Sequence, residues 1–257
     1  MNQTITHTVL VYLFVCFTAN AQITYIAHRG ASYDAPENTI ASAKLAWKMN
    51  ADAVECDIHL SKDNQIMVIH DDNTKRITGE DYDVIHTNSD VLRKLDAGAY
   101  KGKKYKGEKI PFLEELIKTI PKGKKLVIEL KSRDNVLPKM EQILQNNKKL
   151  NQLIFISFDK ETIIKVKKSY PENLCYWLCN NKEYLLANIQ SVAEAGIDGL
   201  DLKYNIIDAQ TMELLNKYKL DIVTYTVNDP EEARRLINLG VKQITTDRPE
   251  WLKNQNY

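Results

Sequence analysis

The chain has 257 residues, with 35 Lys and Arg against 34 Asp and Glu, for a formal net charge of +1. That balance offers no basic surface for a nucleic-acid partner, and none is expected. Apart from Cys16 in an apolar N-terminal run, the thiols are Cys56, Cys175 and Cys179. This odd set excludes a disulfide scaffold.

Residues 1–21 carry no Lys, Arg, Asp or Glu, residues 9–17 are continuously apolar, and Ala19-Asn20-Ala21 supplies an A-x-A pattern. This predicts a secretory signal peptide and a secreted or periplasmic location. The apolar run is too short to span a bilayer, so no stable membrane anchor is expected. Residues 22–257 contain no repeat, low-complexity tract or linker, and read as a single domain.

Residues 23–27 are rich in β-branched and aromatic types and predict a strand, which Gly30 breaks. His28 and Arg29 therefore stand at its carboxyl end. A turn-rich loop follows over 31–38. Asn38 or Thr39 can then cap a helix whose apolar face is Ile40, Ala43, Ala46 and Trp47. Residues 53–60 predict the next strand. Side chains alternate along a strand, so Glu55 and Asp57 share one face, with Cα atoms roughly 6–7 Å apart, and Cys56 faces the other way. Two carboxylates in an apolar strand are costly without a compensating cation, and an oxygen-preferring ion such as Mg²⁺ or Ca²⁺ suits them. Lys62-Asp63-Asn64 turns the chain, and residues 65–69 return as a short strand ending at His70.

The stretch from about 72 to 110 is polar, Gly-punctuated and without sustained periodicity. That marks an insertion of the kind usually tied to function. It carries Lys101, Lys103, Lys104, Lys106 and Lys109, either a solvated loop or a basic rim that attracts anions. Leu113, Leu116, Ile117 and Ile120 then give a helix face closed by Pro121. From there apolar runs at 126–130, 153–158, 174–178, 197–202, 221–227 and 243–246 alternate with helical patterns at 136–144, 160–168, 184–195, 208–218 and 231–239. Eight strands separated by helix-sized crossovers predict an α/β fold, a (β/α)8 TIM barrel with a small insertion after the second strand region. An open doubly wound sheet would carry a Gly-rich phosphate loop after the first strand, and none is present.

Barrel chemistry collects at the carboxyl ends of the strands. Glu129 and Lys131, two residues apart, end one of them on the inward face. Glu129 completes a candidate oxygen-ligand set with Glu55 and Asp57. His28 and His70 are suited to proton transfer near neutral pH. His59 shares the face of Glu55 and Asp57 but lies farther along the strand, and is not expected to be a ligand.

In sequence order, His28-Arg29-Gly30, Pro36-Glu37-Asn38-Thr39, Glu55-Cys56-Asp57-Ile58, His70-Asp71-Asp72, Leu95-Asp96-Ala97-Gly98, Glu129-Leu130-Lys131, Tyr225-Thr226-Val227-Asn228 and Thr246-Asp247-Arg248-Pro249 resemble the glycerophosphodiester phosphodiesterases. The resemblance spans nearly everything after residue 22. It implies metal-dependent hydrolysis of a small-molecule glycerophosphodiester to glycerol 3-phosphate and an alcohol. It assigns His28 and His70 as the acid–base pair and Glu55, Asp57 and Glu129 as ligands for a divalent cation, Mg²⁺ or Ca²⁺. Arg29, by its planar fork, and Lys131, as a point charge, then suit the substrate phosphate. It also implies that the insertion sits over the barrel mouth. Tyr225 departs from the family, which often has Trp there, and Asp247 is expected to buttress the site. Alternatives on the same barrel are a lysophospholipid or sugar phosphodiesterase, or a non-catalytic phosphate-ligand binding protein.

Overall fold

The computed structural model describes residues 23–255, so the predicted signal peptide lies outside the described residues. Strands β1 (Thr24–Ala27), β2 (Ala53–Leu60), β3 (Ile66–Val68), β4 (Lys125–Leu130), β5 (Leu153–Ser157), β6 (Leu174–Cys179), β7 (Gly199–Lys203), β8 (Asp221–Tyr225) and β9 (Gln243–Thr246) form one sheet. All neighbours are parallel except β3, a short antiparallel hairpin arm on β2. The sheet closes because β1 pairs with β9 on one side and with β2 on the other, Ile26 opposite Ala53 and Ala27 opposite Val54. The eight parallel strands make the predicted (β/α)8 barrel, and β3 is the extra arm that carries the chain to His70.

Strand alternation sorts the apolar residues into two cores. Ile26, Val127, Ile154, Ile156, Tyr176 and Leu178 point into the barrel. Their alternates, among them Val54, Cys56, Ile128, Phe155, Cys175, Trp177 and Cys179, face the helical ring. Cys56, Cys175 and Cys179 are buried free thiols, as their packing role requires. The helices keep the predicted order, at Ile40–Lys48, Leu113–Thr119, Leu137–Leu144, Lys160–Ser169, Lys182–Glu194, Ala209–Tyr218 and Pro230–Asn238.

Two strand boundaries differ from the sequence reading by two residues, the others by one at most. β8 stops at Tyr225 because the Val227 amide turns back to the Thr245 carbonyl. β7 starts only at Gly199, because Asp198 is used to hold the Cys175 amide and the Lys167 ammonium.

The insertion is ordered by its own small core. Ile77, Val84, Leu92, Leu95, Ala97 and Ile110 pack on Met67 and Ile69 from the β3 arm, with short helical turns between them. It leans on the 31–38 loop, where the Tyr100 hydroxyl accepts from the Glu37 amide and the Tyr105 hydroxyl donates to the Asp34 carbonyl.

The turn after β1 is the tightest part of the frame. Arg29 and Gly30 both have positive φ, 55° and 81°. A Cβ on Gly30 would lie 2.4 Å from Ser42 Oγ and 2.7 Å from the Ser42 carbonyl carbon. Ser42 cannot retreat, because it forms a reciprocal capping box with Thr39 at the start of the Ile40–Lys48 helix. Gly30→Ala is therefore expected to lose about 2–4 kcal/mol, from backbone strain plus overpacking. Urea denaturation of parent and variant measures it.

Candidate active site

The strained turn aims Arg29 with both backbone and side chain. Its amide donates to Glu55 Oε2 at 2.9 Å, while its carbonyl accepts from Ser42 Oγ and the Asn38 amide. The guanidinium donates through Nη1 to Glu37 Oε1 at 2.9 Å, and Nε lies 3.4 Å from Asp57 Oδ2. Holding a non-glycine residue at positive φ costs about 1–3 kcal/mol and persists only where the surroundings over-determine it, as these contacts do.

Glu55, Asp57 and Glu129 come together on the inward faces of β2 and β4, where Asp57 pairs directly with Glu129. They are only 4 %, 1 % and 9 % exposed. Each offers an oxygen to a group of ligand atoms that all lie within 4.8 Å of one another. Burial, with Asp57 and Glu129 nearby, pushes the Glu55 carboxyl well above its ordinary range. Burial and Asp57 likewise bring Glu129 up to about 7, even though Lys131 Nζ donates to its Oε1 at 3.0 Å. Burial would raise Asp57 too, but Arg29, His70, Lys131 and the Asn38 amide outweigh it and hold that carboxyl low. The protein's own groups thus hold one carboxyl of the three below its ordinary range and leave the other two raised. The two raised carboxyls, buried in one oxygen cluster with Asp57, make with it the donor set a hard divalent cation requires. Such an ion fits this site.

Both histidines are anchored through Nδ1. His28 Nδ1 lies 2.7 Å from Asp247 Oδ1, and His70 Nδ1 lies 2.6 Å from Asp71 Oδ1. With Nδ1–H donating to a carboxylate, the neutral ring presents Nε2 as an acceptor. His28, His70, Arg29, Lys131, Glu55 and Glu129 all line one cavity of about 200 Å³ at the carboxyl ends of the strands. Burial, reinforced by Arg29 and Lys131, lowers the His70 imidazole below its ordinary value against the pull of Asp57 and Asp71.

Asp247 is itself tied down, accepting from Asn228 Nδ2 at 2.6 Å and Ser32 Oγ at 3.0 Å. Burial would raise its carboxyl, but His28, Asn228 and Ser32 bring it down from 3.8 to about 2. A carboxyl lowered on folding contributes stability that is present above about pH 4 and lost as pH falls through about 2. Asp247→Asn should cost about 1–2 kcal/mol at neutral pH, allowing for partial solvent screening, and the gap should close in acid. Denaturation of both proteins between pH 7 and pH 2 checks the sign.

His59 is half-buried and is not one of the three clustered carboxylate positions. Its Nε2 meets the His70 carbonyl at 3.0 Å, so it braces the segment that carries His70. His86 lies in a 3₁₀ turn of the insertion, away from the cavity. No residue that lines this cavity comes from the insertion. Lys101 alone reaches the adjoining recess beside His28, Arg29 and Tyr33, where its Nζ donates to the Ser32 carbonyl.

Sequence reasoning gave no role to four residues that the fold brings in. Asp71 orients His70, and Arg76 clamps Asp71 and Glu37 together with hydrogen bonds of 2.7–3.2 Å, which links His70 to Arg29 through Glu37. Arg76 sits in the aperiodic insertion and carried no signal. Asp201, in β7, points into the cavity, and a lone acid at an inward position of an apolar strand was a signal available to find it.

A model of the glycerophosphoryl diester phosphodiesterase family matches residues 28–251. YhdW of Bacillus subtilis (strain 168) is 36% identical over 232 residues, covering 88% of this chain and 95% of that protein. A glycerophosphodiester phosphodiesterase of Caldanaerobacter subterraneus subsp. tengcongensis is 35% identical over 237 residues, 89% of this chain and 96% of its own. Among solved structures, a phosphodiesterase of Oleispira antarctica in complex with the product sn-glycerol-3-phosphate superposes with a TM-score of 0.83. It is 30% identical and covers 90% of this chain and 95% of that one. The matched span holds every histidine, arginine and carboxylate of the cavity just described, and by it the chain belongs to the glycerophosphoryl diester phosphodiesterase family.

Proposed function

We propose that this enzyme hydrolyses glycerophosphodiesters to glycerol 3-phosphate and an alcohol, with a divalent cation and a histidine pair as acid and base. The observation that carries this reading is the convergence of two aspartate-anchored imidazoles, two cations and the carboxylates Glu55 and Glu129 on one small cavity, with Asp57 buried in the same oxygen cluster. Glu55, Asp57 and Glu129 would hold Mg²⁺ or Ca²⁺, which when bound supplies Lewis acidity toward the phosphoryl oxygens. Arg29 and Lys131 flank the carboxylates and offer fixed donors to the phosphate, where charge grows in the transition state.

His28 and His70 each present Nε2 to the cavity. One takes the proton of the attacking nucleophile, either water or the substrate's own hydroxyl (water then opening the cyclic ester), and the other delivers a proton to the departing alkoxide. Asp247 and Asp71 keep each ring in the required tautomer and stabilise it when it is cationic. Arg76 withdraws one lone-pair set of Asp71 and so fixes that carboxylate in place. With one ring anchored from the segment after β9 and the other from the segment after β3, the fold holds acid and base apart while the substrate sits between them. Residues 1–21 we propose to be removed on export, so that the enzyme meets its substrates outside the cytoplasm.

Release of glycerol 3-phosphate from glycerophosphocholine, glycerophosphoethanolamine and glycerophosphoglycerol, with and without EDTA, tests the reading. Metal-dependent release from at least one of them is expected. No release from any of them, with or without added Mg²⁺ or Ca²⁺, would overturn it.

A further inference from the structure

Asp201 sits mid-strand in β7, in register between Leu178 of β6 and Val223 of β8, so its side chain points into the barrel. It is 2 % exposed, yet its Oδ1 is buried without a hydrogen-bond partner, and it forms no ion pair among the described residues. One inward position higher on the neighbouring strand, the Tyr225 hydroxyl is also buried and unpartnered. The two are close enough that Asp201, after burial, helps to push the Tyr225 phenol above its ordinary range. The Tyr225 ring is fixed edge-on against Phe158, with ring centroids 6.1 Å apart. Buried polar groups are nearly always hydrogen-bonded, so two orphans on the wall of one cavity call for a ligand that supplies partners.

We infer that Asp201 and the Tyr225 hydroxyl form the subsite that binds the hydroxyl groups of the substrate's glycerol. This rests on the proposed activity and deepens it. Arg29 and Lys131 claim the phosphate at one side of the cavity, and the orphaned pair stands on the other strands that line it. A vicinal diol both donates and accepts, which matches a carboxyl beside a phenol. The cavity is about 200 Å³, and Ile156 and Leu178 line it alongside the pair. That is room for a three-carbon polyol, whereas a leaving alcohol of variable size needs the open mouth. Specificity of this kind can be large, because a substrate without the hydroxyls leaves both buried groups unpaired.

The test compares the parent with Asp201→Asn and Tyr225→Phe, both close in shape to the original residue. Calorimetry measures affinity for sn-glycerol 3-phosphate and for inorganic phosphate, with Mg²⁺ present. Each variant should lose about tenfold in glycerol 3-phosphate affinity relative to phosphate affinity. KM should rise by a similar factor for glycerophosphoethanolamine and glycerophosphoglycerol alike. A parent-like affinity ratio in both variants would overturn the subsite. So would a KM increase confined to the ethanolamine ester, which would make the pair an ammonium site on the leaving-group side. If the parent neither cleaves these esters nor binds glycerol 3-phosphate, the activity itself fails and the subsite with it. A folded, active parent with indifferent variants refutes the subsite alone.

Discussion

Replacing either His28 or His70 by alanine should lower turnover of natural glycerophosphodiesters by about 10²–10⁴-fold, the usual worth of one general acid or base. Stability should move far less, because each loss leaves a partner still held. Asp247 keeps Asn228 and Ser32, and Asp71 keeps Arg76. The change in unfolding free energy should stay within about 2 kcal/mol. The two groups serve one reaction, so the double variant should fall little below the worse single variant. A p-nitrophenyl ester separates the roles. Its leaving group departs without a proton, so it should rescue the variant lacking the acid and not the one lacking the base. Near-parent rates for both variants on natural substrates would refute the mechanism and turn attention to His59, which already touches the His70 backbone.

How much of this was legible in the chain depends on what sets each feature. The barrel was readable because strand and helix periodicities alternate cleanly, and because the i, i+2 spacing of Glu55 with Asp57 and of Glu129 with Lys131 fixes a shared face without tertiary information. The direct pairing of Asp57 with Glu129 could not be read, since register between β2 and β4 is settled by the closed sheet. The insertion is the clearest limit. Its core is assembled from scattered residues such as Ile77, Leu92 and Ile110 that have no common period, and it closes on Met67 and Ile69 across a turn. Arg76 illustrates the same point at the level of one side chain. Nothing in its neighbours in sequence marks it as the clamp between Asp71 and Glu37, a partner 39 residues away.

Removing the metal should abolish turnover, and restoring Mg²⁺ or Ca²⁺ should recover it. The physical basis is the imbalance at the centre of the site. Three carboxylates are buried within a 4.8 Å group, and Arg29, His70, Lys131 and Asn38 hold Asp57 low, while Glu55 and Glu129 stay raised although Lys131 pairs with Glu129 at 3.0 Å. An ion that binds only the folded state stabilises it by mass action, by about 2.7 kcal/mol at a hundredfold excess over Kd. For a domain of this size that is roughly 5–10 °C in Tm. Glu55→Gln and Asp57→Asn should each lose that increment, but for the metal-free fold their effects should differ. Glu55→Gln removes a repelling charge whose Oε2 accepts one backbone hydrogen bond, so the metal-free variant should melt no lower than the metal-free parent. Asp57→Asn removes the carboxylate that Arg29 and Lys131 both flank, leaving the two cations with less compensation, and should melt lower. Calorimetric melting of the three proteins with EDTA and with Mg²⁺ reads all of this at once. Full turnover after chelation would remove the metal from the mechanism. A parent Tm indifferent to Mg²⁺ and Ca²⁺ would instead mean that the three carboxylates hold no ion, and the charge argument built on their burial would fall with it.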